Sequence, residues 1–137
     1  MTRHLRGVLD TSTVIRLGQI TDPNSLPVEP VITTVTLAEL SVGPLVTADD
    51  EVRAIRQAHL QQAEASFEPL PFDSAAARAF GGVSASLRRS GRKTAARAYD
   101  AMIAAIAISQ QLPVYTCNPS DFDGIAGLEV VSVDIPE

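Results

Sequence analysis

Short apolar segments alternate along this chain with longer segments of helical pattern, and this alternation limits the possible folds more than any other feature. The segments predicted as strands are residues 7–9, 31–34, 114–116 and 128–133. Short apolar strands separated by helices are typical of a parallel sheet that is covered on both faces. The sequence therefore predicts an α/β protein with a parallel central sheet between helical layers.

The helical segments are marked by caps, breakers and periodicity. Thr36 suits a helix N-cap, with Glu39 three residues later as in a capping box, and Gly43-Pro44 ends that helix. Asp73 is expected to cap a helix that runs to Arg89. The remaining predictions are a helical turn over 11–17, a prolyl loop over 21–30, a short strand or a connection over 67–72, a loop over 117–127, and helices over 47–67 and 95–111.

Length and composition limit the chemistry that the chain can perform. With 137 residues, 45% of them hydrophobic and 20% charged, residues 1–137 are expected to form a single domain. A single cysteine, Cys117, excludes a disulfide within the chain and a thiolate zinc cluster. Since His4 and His59 are too far apart for a local metal pair, any bound metal is expected to have oxygen ligands.

Neither a membrane span nor an export signal is predicted. No stretch of about 18 apolar residues occurs. The cationic N-terminus is followed by Asp10 and Arg16 rather than by an uninterrupted hydrophobic region. We therefore expect a cytoplasmic protein with no membrane partner.

Charge is distributed unevenly along the chain. The net charge is −5, yet the segment between Asp73 and Asp100 contains no acid and has six basic residues. These are Arg78, Arg88, Arg89, Arg92, Lys93 and Arg97. Such a segment is either a binding surface for a polyanion or a solvated helix face and loop, and the pattern alone allows both.

Three carboxylates stand alone in uncharged, largely apolar segments. Asp10 is the only charge within residues 7–15, Glu39 within 30–48 and Asp100 within 98–120. A lone buried carboxylate is costly unless it is paired or coordinated. Asp10 and Asp121 follow predicted strands, and the carboxyl ends of parallel strands share the edge where ligands bind. We therefore expect four acids, Asp10, Glu39, Asp100 and Asp121, to converge at this edge.

Four converging carboxylates repel one another unless a cation neutralises them. Oxygen ligands without His or Cys suit Mg²⁺, with Mn²⁺ as a second possibility, and such an ion can activate water against a phosphodiester. Each acid also has a structural explanation as a helix cap or a turn residue. Their joint placement at the strand ends favours the functional interpretation.

Four motifs in order resemble those of the PIN-domain ribonucleases, and most closely the VapC toxins of bacterial toxin–antitoxin pairs. They are GVLDTS at 7–12, TLAEL at 36–40, DAMIA at 100–104 and TCNPSDF at 116–122. The resemblance covers nearly the whole chain and implies a flavodoxin-like, three-layer α/β/α sandwich with endoribonuclease activity. It implies that Asp10, Glu39, Asp100 and Asp121 are the catalytic, metal-binding acids, with Ser12, Thr116 and Asn118 as supporting polar residues.

The resemblance also implies partners. Members of this family usually form homodimers and are neutralised by a cognate VapB-type antitoxin, and DNA is contacted only through that antitoxin. Within this interpretation, we expect Arg88, Arg89, Arg92 and Lys93 to bind the phosphates of the RNA substrate.

Some alternatives remain open and others are disfavoured. The fourth ligand position is uncertain, because Asp123 or Asn118 could take the place of Asp121. A catalytically silent PIN-fold module that binds RNA or protein is the alternative function. This chain lacks residues that two other protein classes require. A receiver-like module needs an acidic pair after the first strand and a lysine late in the chain, and a haloacid-dehalogenase-type phosphatase needs a second Asp where Ser12 stands. No glycine-rich phosphate-binding motif occurs.

Overall fold

Five strands form one parallel sheet in the computed structural model, which describes residues 3–136 apart from the side chain of Ala96. The strands are β1 (Arg6–Leu9), β2 (Glu29–Thr33), β3 (Pro69–Leu70), β4 (Val114–Thr116) and β5 (Val130–Ser132), in the order β3-β2-β1-β4-β5. The helices are α1 (Thr11–Ile15), α2 (Thr34–Val42), α3 (Asp50–Ser66), α4 (Ser74–Arg89) and α5 (Ala98–Ser109). Residues 1, 2 and 137 of the predicted domain lie outside the described residues.

Each face of the sheet has its own hydrophobic core, because successive strand side chains point to opposite faces. Val8 and Val114 pack with α4 and the alanine-rich α5, whereas Leu9 and Tyr115 pack with α1 and α3. The predicted three-layer α/β/α sandwich with a parallel sheet is therefore confirmed.

The chain reverses its direction of strand addition beside β1. It adds β2 and β3 on one side of β1, and then crosses over to add β4 and β5 on the other. Val8 is in register with Val31 of β2 and with Val114 of β4, so the three strands end at about the same level. Crevices at such a reversal, beyond the carboxyl ends of the strands, are the usual ligand sites of open α/β sheets.

Two boundaries near β2 differ from the prediction. β2 begins at Glu29, so Pro30 belongs to the strand and not to the loop. Pro30 is tolerated because β3 pairs only with Ile32 and Thr33, which leaves Pro30 on a free edge of β2. The N-cap of α2 is Thr33 and not Thr36, because Thr33 is extended and its side chain accepts a hydrogen bond from the Thr36 amide.

Two helices begin later than predicted. The helix expected from residue 47 begins at Asp50, because the Asp49 side chain caps it by accepting from the Val52 amide. The helix expected over 95–111 is preceded by a 3₁₀ turn, Thr94–Arg97, and begins at Ala98. Asp73 caps α4 as predicted. None of the helices within residues 3–136 has the length and apolarity needed to span a membrane.

Candidate active site

Asp10 lies directly after β1 and is only 2% exposed. Its Oδ1 accepts hydrogen bonds from the Thr13 amide at 3.0 Å and the Thr13 hydroxyl at 2.7 Å. Its Oδ2 accepts from Thr116 at 2.7 Å, and Ser12 donates to both oxygens at 2.9 and 3.0 Å. Asp10 therefore caps α1, as its structural explanation required, and is also held in a fixed orientation at the end of β1.

Glu39 lies on α2 and faces α1. Its Oε1 accepts a hydrogen bond of 2.7 Å from Thr11, whose hydroxyl is also 3.0 Å from that of Thr36. The predicted capping box is therefore wrong, because the hydrogen bond of Glu39 joins it to Thr11 of α1 and not to the N-terminus of its own helix. Burial raises the pKa of Glu39, the hydrogen bond from Thr11 lowers it, and the charge of Asp10 raises it.

Asp100 is in the first turn of α5, where the prediction placed it. Its pKa is raised to about 6, first by burial and then by the negative charges of Asp121, Asp10 and Glu39, while Arg97 acts in the opposite direction. Because the interaction between charges weakens with distance, these contributions indicate that the other three acids lie near Asp100. Asp100 and Glu39 line a shared cleft of about 400 Å³ with Arg97 and Tyr99, which we call the carboxylate cleft.

Asp121 lies on a 3₁₀ turn after β4, and Arg97 holds this turn in place. Nη1 of Arg97 donates to the backbone carbonyl of Asp121 at 2.8 Å and to that of Ser120 at 3.4 Å. The same atom is 3.8 Å from Oδ1 of Asp121. Asp123, the alternative fourth acid, is instead 3.6 Å from Arg92 in an ion pair. Of these two acids, Asp121 is the one whose negative charge raises the pKa of Asp100.

Asn118 and Thr116 form a short chain of hydrogen bonds that ends at Asp10. The backbone amide of Asn118 donates to the Thr116 hydroxyl at 2.9 Å, and that hydroxyl donates to Asp10. Thr116 is fully buried, so this contact fixes the start of the loop after β4 against β1.

Asp121, Asp10 and Glu39 are close enough to raise the pKa of Asp100, yet no three metal-ligating side chains among residues 3–136 are arranged to hold an ion. Both oxygens of Asp10 already accept hydroxyl hydrogen bonds, so each has fewer lone pairs free for an ion.

The predicted RNA-binding residues fall into two groups. Arg88, Arg92 and Lys93 line a second, open cleft of about 710 Å³, which we call the basic cleft. Ala95 lines both this cleft and the carboxylate cleft. Arg89 is not among the residues that line the basic cleft, and its guanidinium donates to Ser86 at 3.3 Å.

Three residues with clear contacts were not assigned a role from the sequence. Thr11 and Thr13 hold Glu39 and Asp10, and Arg97 holds the turn that bears Asp121. The run of three hydroxyl residues, TST, directly after Asp10 is a signal that could have identified the two threonines.

The fold and the site together define the class: an α/β/α sandwich whose carboxylate-lined cleft lies next to a basic cleft, as expected for a metal-dependent nuclease. The PIN domain family model matches residues 8–128, and the chain belongs to the PIN domain family. The family predicted from the four motifs is thus confirmed.

Relatives agree with this membership over almost the whole chain. The chain is 42% identical over 132 residues to Ribonuclease VapC5 of Mycobacterium tuberculosis (strain ATCC 25618 / H37Rv), covering 93% of this chain and 95% of the relative. It is also similar to a chain in the crystal structure of VapBC-5 from M. tuberculosis, a member of the VapBC family of toxin-antitoxin systems, with a TM-score of 0.79, 40% identity and coverage of 94% and 99%. A chain of DNA-bound VapBC from Salmonella typhimurium matches at 26% identity, TM-score 0.72 and coverage of 95% and 99%.

Proposed function

We propose that this protein is a divalent-metal-dependent endoribonuclease that acts as the toxin of a VapBC-type toxin–antitoxin pair. The predicted ribonuclease class is confirmed by membership of the PIN domain family and by the 42% identical ribonuclease relative. The observation that carries the assignment to particular residues is the cleft that Glu39 and Asp100 line together, and the charges of Asp121, Asp10 and Glu39 help to raise the pKa of Asp100.

The donor chemistry of the cleft fits a hard divalent cation. The four acids offer only oxygen ligands, which suit Mg²⁺ or Mn²⁺. Burial and mutual repulsion disfavour the ionised form of Asp100, and a bound cation would offset both effects. Asp10, Glu39, Asp100 and Asp121 would hold this ion, and when bound it would supply a water of lowered pKa and charge stabilisation at the phosphodiester.

The remaining polar residues hold the acids in position. Ser12 and Thr116 fix both oxygens of Asp10, and Thr11 fixes Glu39. Asn118 supports Thr116 through its backbone amide, so its role in the proposal is to orient the loop after β4. Outer-sphere contacts of this kind keep carboxylates correctly turned toward an ion.

The basic cleft provides a route for the RNA backbone. Arg88 and Lys93 are exposed, and with Arg92 they line a cleft that meets the carboxylate cleft at Ala95. We assign phosphate contacts mainly to Arg88 and Lys93, because Arg92 is paired with Asp123 and Arg89 bonds to Ser86. The predicted RNA-binding set of Arg88, Arg89, Arg92 and Lys93 is thus proposed with unequal contributions.

The proposed partners follow from the relatives. A chain in the VapBC-5 structure matches 94% of this chain, which supports a VapB-type antitoxin as the partner that neutralises the enzyme. A DNA-bound VapBC from Salmonella typhimurium is among the matching structures. We propose that this chain reaches DNA only through its antitoxin and that it forms a homodimer.

Cleavage of RNA with and without metal tests this function. Purified protein is incubated with total cellular RNA in Mg²⁺, Mn²⁺ or EDTA, and the new RNA ends are mapped by sequencing. We expect discrete cuts that require the metal, and we expect Asp100→Asn to abolish them because the change removes one charged ligand.

A matched variant separates this effect from a general loss of acidity. Asp50 is 93% exposed on α3 and pairs with Arg53, so Asp50→Asn makes the same chemical change away from the cleft. Asp50→Asn is expected to cut RNA like the wild type. A well-folded Asp100→Asn variant with full activity would refute the proposed role of Asp100, and a wild type that cuts no RNA would favour the silent PIN-fold module.

A further inference from the structure

Tyr99 is the most exposed aromatic side chain of the protein. It is 54% exposed, whereas Tyr115 and Phe122 are each 2% exposed. Phe72, the next most exposed, packs edge-on against Phe80 with ring centroids 6.1 Å apart. The ring of Tyr99 is therefore the aromatic face most available to a ligand.

This ring lies at the candidate active site. Tyr99 directly precedes Asp100 in α5 and lines the same cleft as Asp100, Glu39 and Arg97. The cleft, of about 400 Å³, is within the range of about 300–1,000 Å³ that is usual for small-ligand sites. It therefore has room for a planar group of nucleobase size against the tyrosine ring.

The basic cleft adjoins the carboxylate cleft. Ala95 lines both the carboxylate cleft and the basic cleft of Arg88 and Lys93. A strand that follows this path would present its phosphates to Arg88 and Lys93, and a base of the same strand would reach Tyr99. Grooves that combine cations with an exposed aromatic face are typical of single-strand binding sites.

We propose that Tyr99 is a stacking platform for one unpaired base of the RNA that crosses the carboxylate cleft. This inference rests on the RNA binding in the proposed function and not on its cleavage step. In a duplex the faces of each base are covered by its neighbours, and only an unpaired base can turn onto a protein ring. Tyr99 is thus expected to contact the RNA at an unpaired base.

Binding in EDTA tests the platform without cleavage. A short RNA that contains 2-aminopurine is titrated with wild type, Tyr99→Phe and Tyr99→Leu, as a single strand and as a duplex. Affinity is read from fluorescence anisotropy, and stacking is read from quenching of the 2-aminopurine. Phe keeps the aromatic face, whereas Leu keeps only apolar bulk, so we expect Tyr99→Phe to bind within about twofold of the wild type and Tyr99→Leu to bind about tenfold more weakly, without quenching.

Phe72→Leu is the matched control, because it makes the same aromatic-to-leucine change at a partly exposed position that lines neither cleft. It is expected to bind and quench like the wild type. Thermal unfolding of each variant verifies that the fold is retained.

The results separate the platform from the nuclease function. A Tyr99→Leu variant with wild-type affinity and quenching overturns the platform, as does a wild type that binds duplex and single strand equally or binds neither. Cleavage by the wild type in Mg²⁺ is measured in parallel. If the wild type binds and quenches the single strand but cuts no RNA with Mg²⁺ or Mn²⁺, the proposed function fails and the platform stands.

Discussion

Arg97 connects two parts of the site that come from distant positions in the chain. It is positioned three residues before Asp100, and its guanidinium holds the turn of Asp121 through two carbonyl oxygens and an ion pair. Its side chain is only 28% exposed, so these contacts are partly shielded from water. The spacing between Asp100 and Asp121 is therefore set in part by a residue that we do not assign to the metal.

Replacing Arg97 is expected to weaken metal binding. In Arg97→Gln, the turn of Asp121 loses its charged support, and the metal affinity should fall by about tenfold or more, because outer-sphere partners contribute about 10- to 100-fold to affinity. Arg97→Lys keeps the charge but loses the fork of donors, so we expect a smaller loss. Calorimetric titration with Mn²⁺ measures the affinity independently of catalysis.

Arg92→Gln is the control for this experiment, since Arg92 pairs with Asp123 and not with Asp121. Its Mn²⁺ affinity should equal that of the wild type. Equal affinity in a folded Arg97→Gln variant would show that Arg97 does not position a metal ligand.

Three of the four proposed site acids stand out in the sequence because each interrupts an uncharged segment. Asp10, Glu39 and Asp100 are visible as isolated charges, and the end of β1 is visible as the end of an apolar run. The contacts that hold them were not predictable. The bond from Thr11 to Glu39 spans 28 residues and that from Arg97 to Asp121 spans 24, so both depend on how the elements pack.

At the scale of elements, β1 requires a glycine at its centre. A Cβ atom on Gly7 would lie 2.6 Å from a ring carbon of Tyr115 and 3.3 Å from Cβ of Pro27. Tyr115 is only 2% exposed and is packed with Leu9 in the core, so its ring has little room to move. The strand pair that presents Asp10 and Thr116 therefore depends on this small residue.

Gly7→Ala is expected to destabilise the protein by about 1–3 kcal/mol, the usual cost of overpacking a core. Gly81→Ala is the matched control, because Gly81 lies within α4 and a Cβ atom there would contact nothing within 4 Å. Alanine at this helical position should stabilise by about 0.5–1 kcal/mol. Urea unfolding followed by circular dichroism measures both, and a Gly7→Ala variant as stable as the wild type would show that Tyr115 can move aside.

Element types were predictable, whereas several boundaries were not. β4 has its predicted bounds, since Pro113 precedes an uncharged β-forming run. The start of α2 was misplaced because Thr33, Thr34 and Thr36 can all cap a helix, and the choice depends on where β2 ends. β2 itself is lengthened by pairing Glu29 and Pro30 with β1, which is a tertiary effect.

At the scale of the whole molecule, an acidic protein must attract a polyanion through a local surface. The net charge is −5, which opposes RNA binding at long range. Arg88 and Lys93 are exposed beside the cleft, whereas Arg92 is partly neutralised by Asp123. The attraction is therefore concentrated at the basic cleft, and it should be sensitive to salt in proportion to the number of phosphates contacted.

Neutralising Arg88 and Lys93 together is expected to flatten the salt dependence of RNA binding. Each phosphate contact to a single strand contributes about 0.7 to the slope of log affinity against log salt concentration, so Arg88→Gln/Lys93→Gln should reduce that slope by about 1.4. Arg6→Gln/Arg53→Gln changes the net charge equally, and its two arginines pair with Glu29 and Asp50 away from the cleft, so its slope should remain that of the wild type. Anisotropy titrations in EDTA over a range of salt concentrations measure the slopes. If both double variants reduce the slope by the same amount, overall charge, and not the basic cleft, governs the attraction between this protein and RNA.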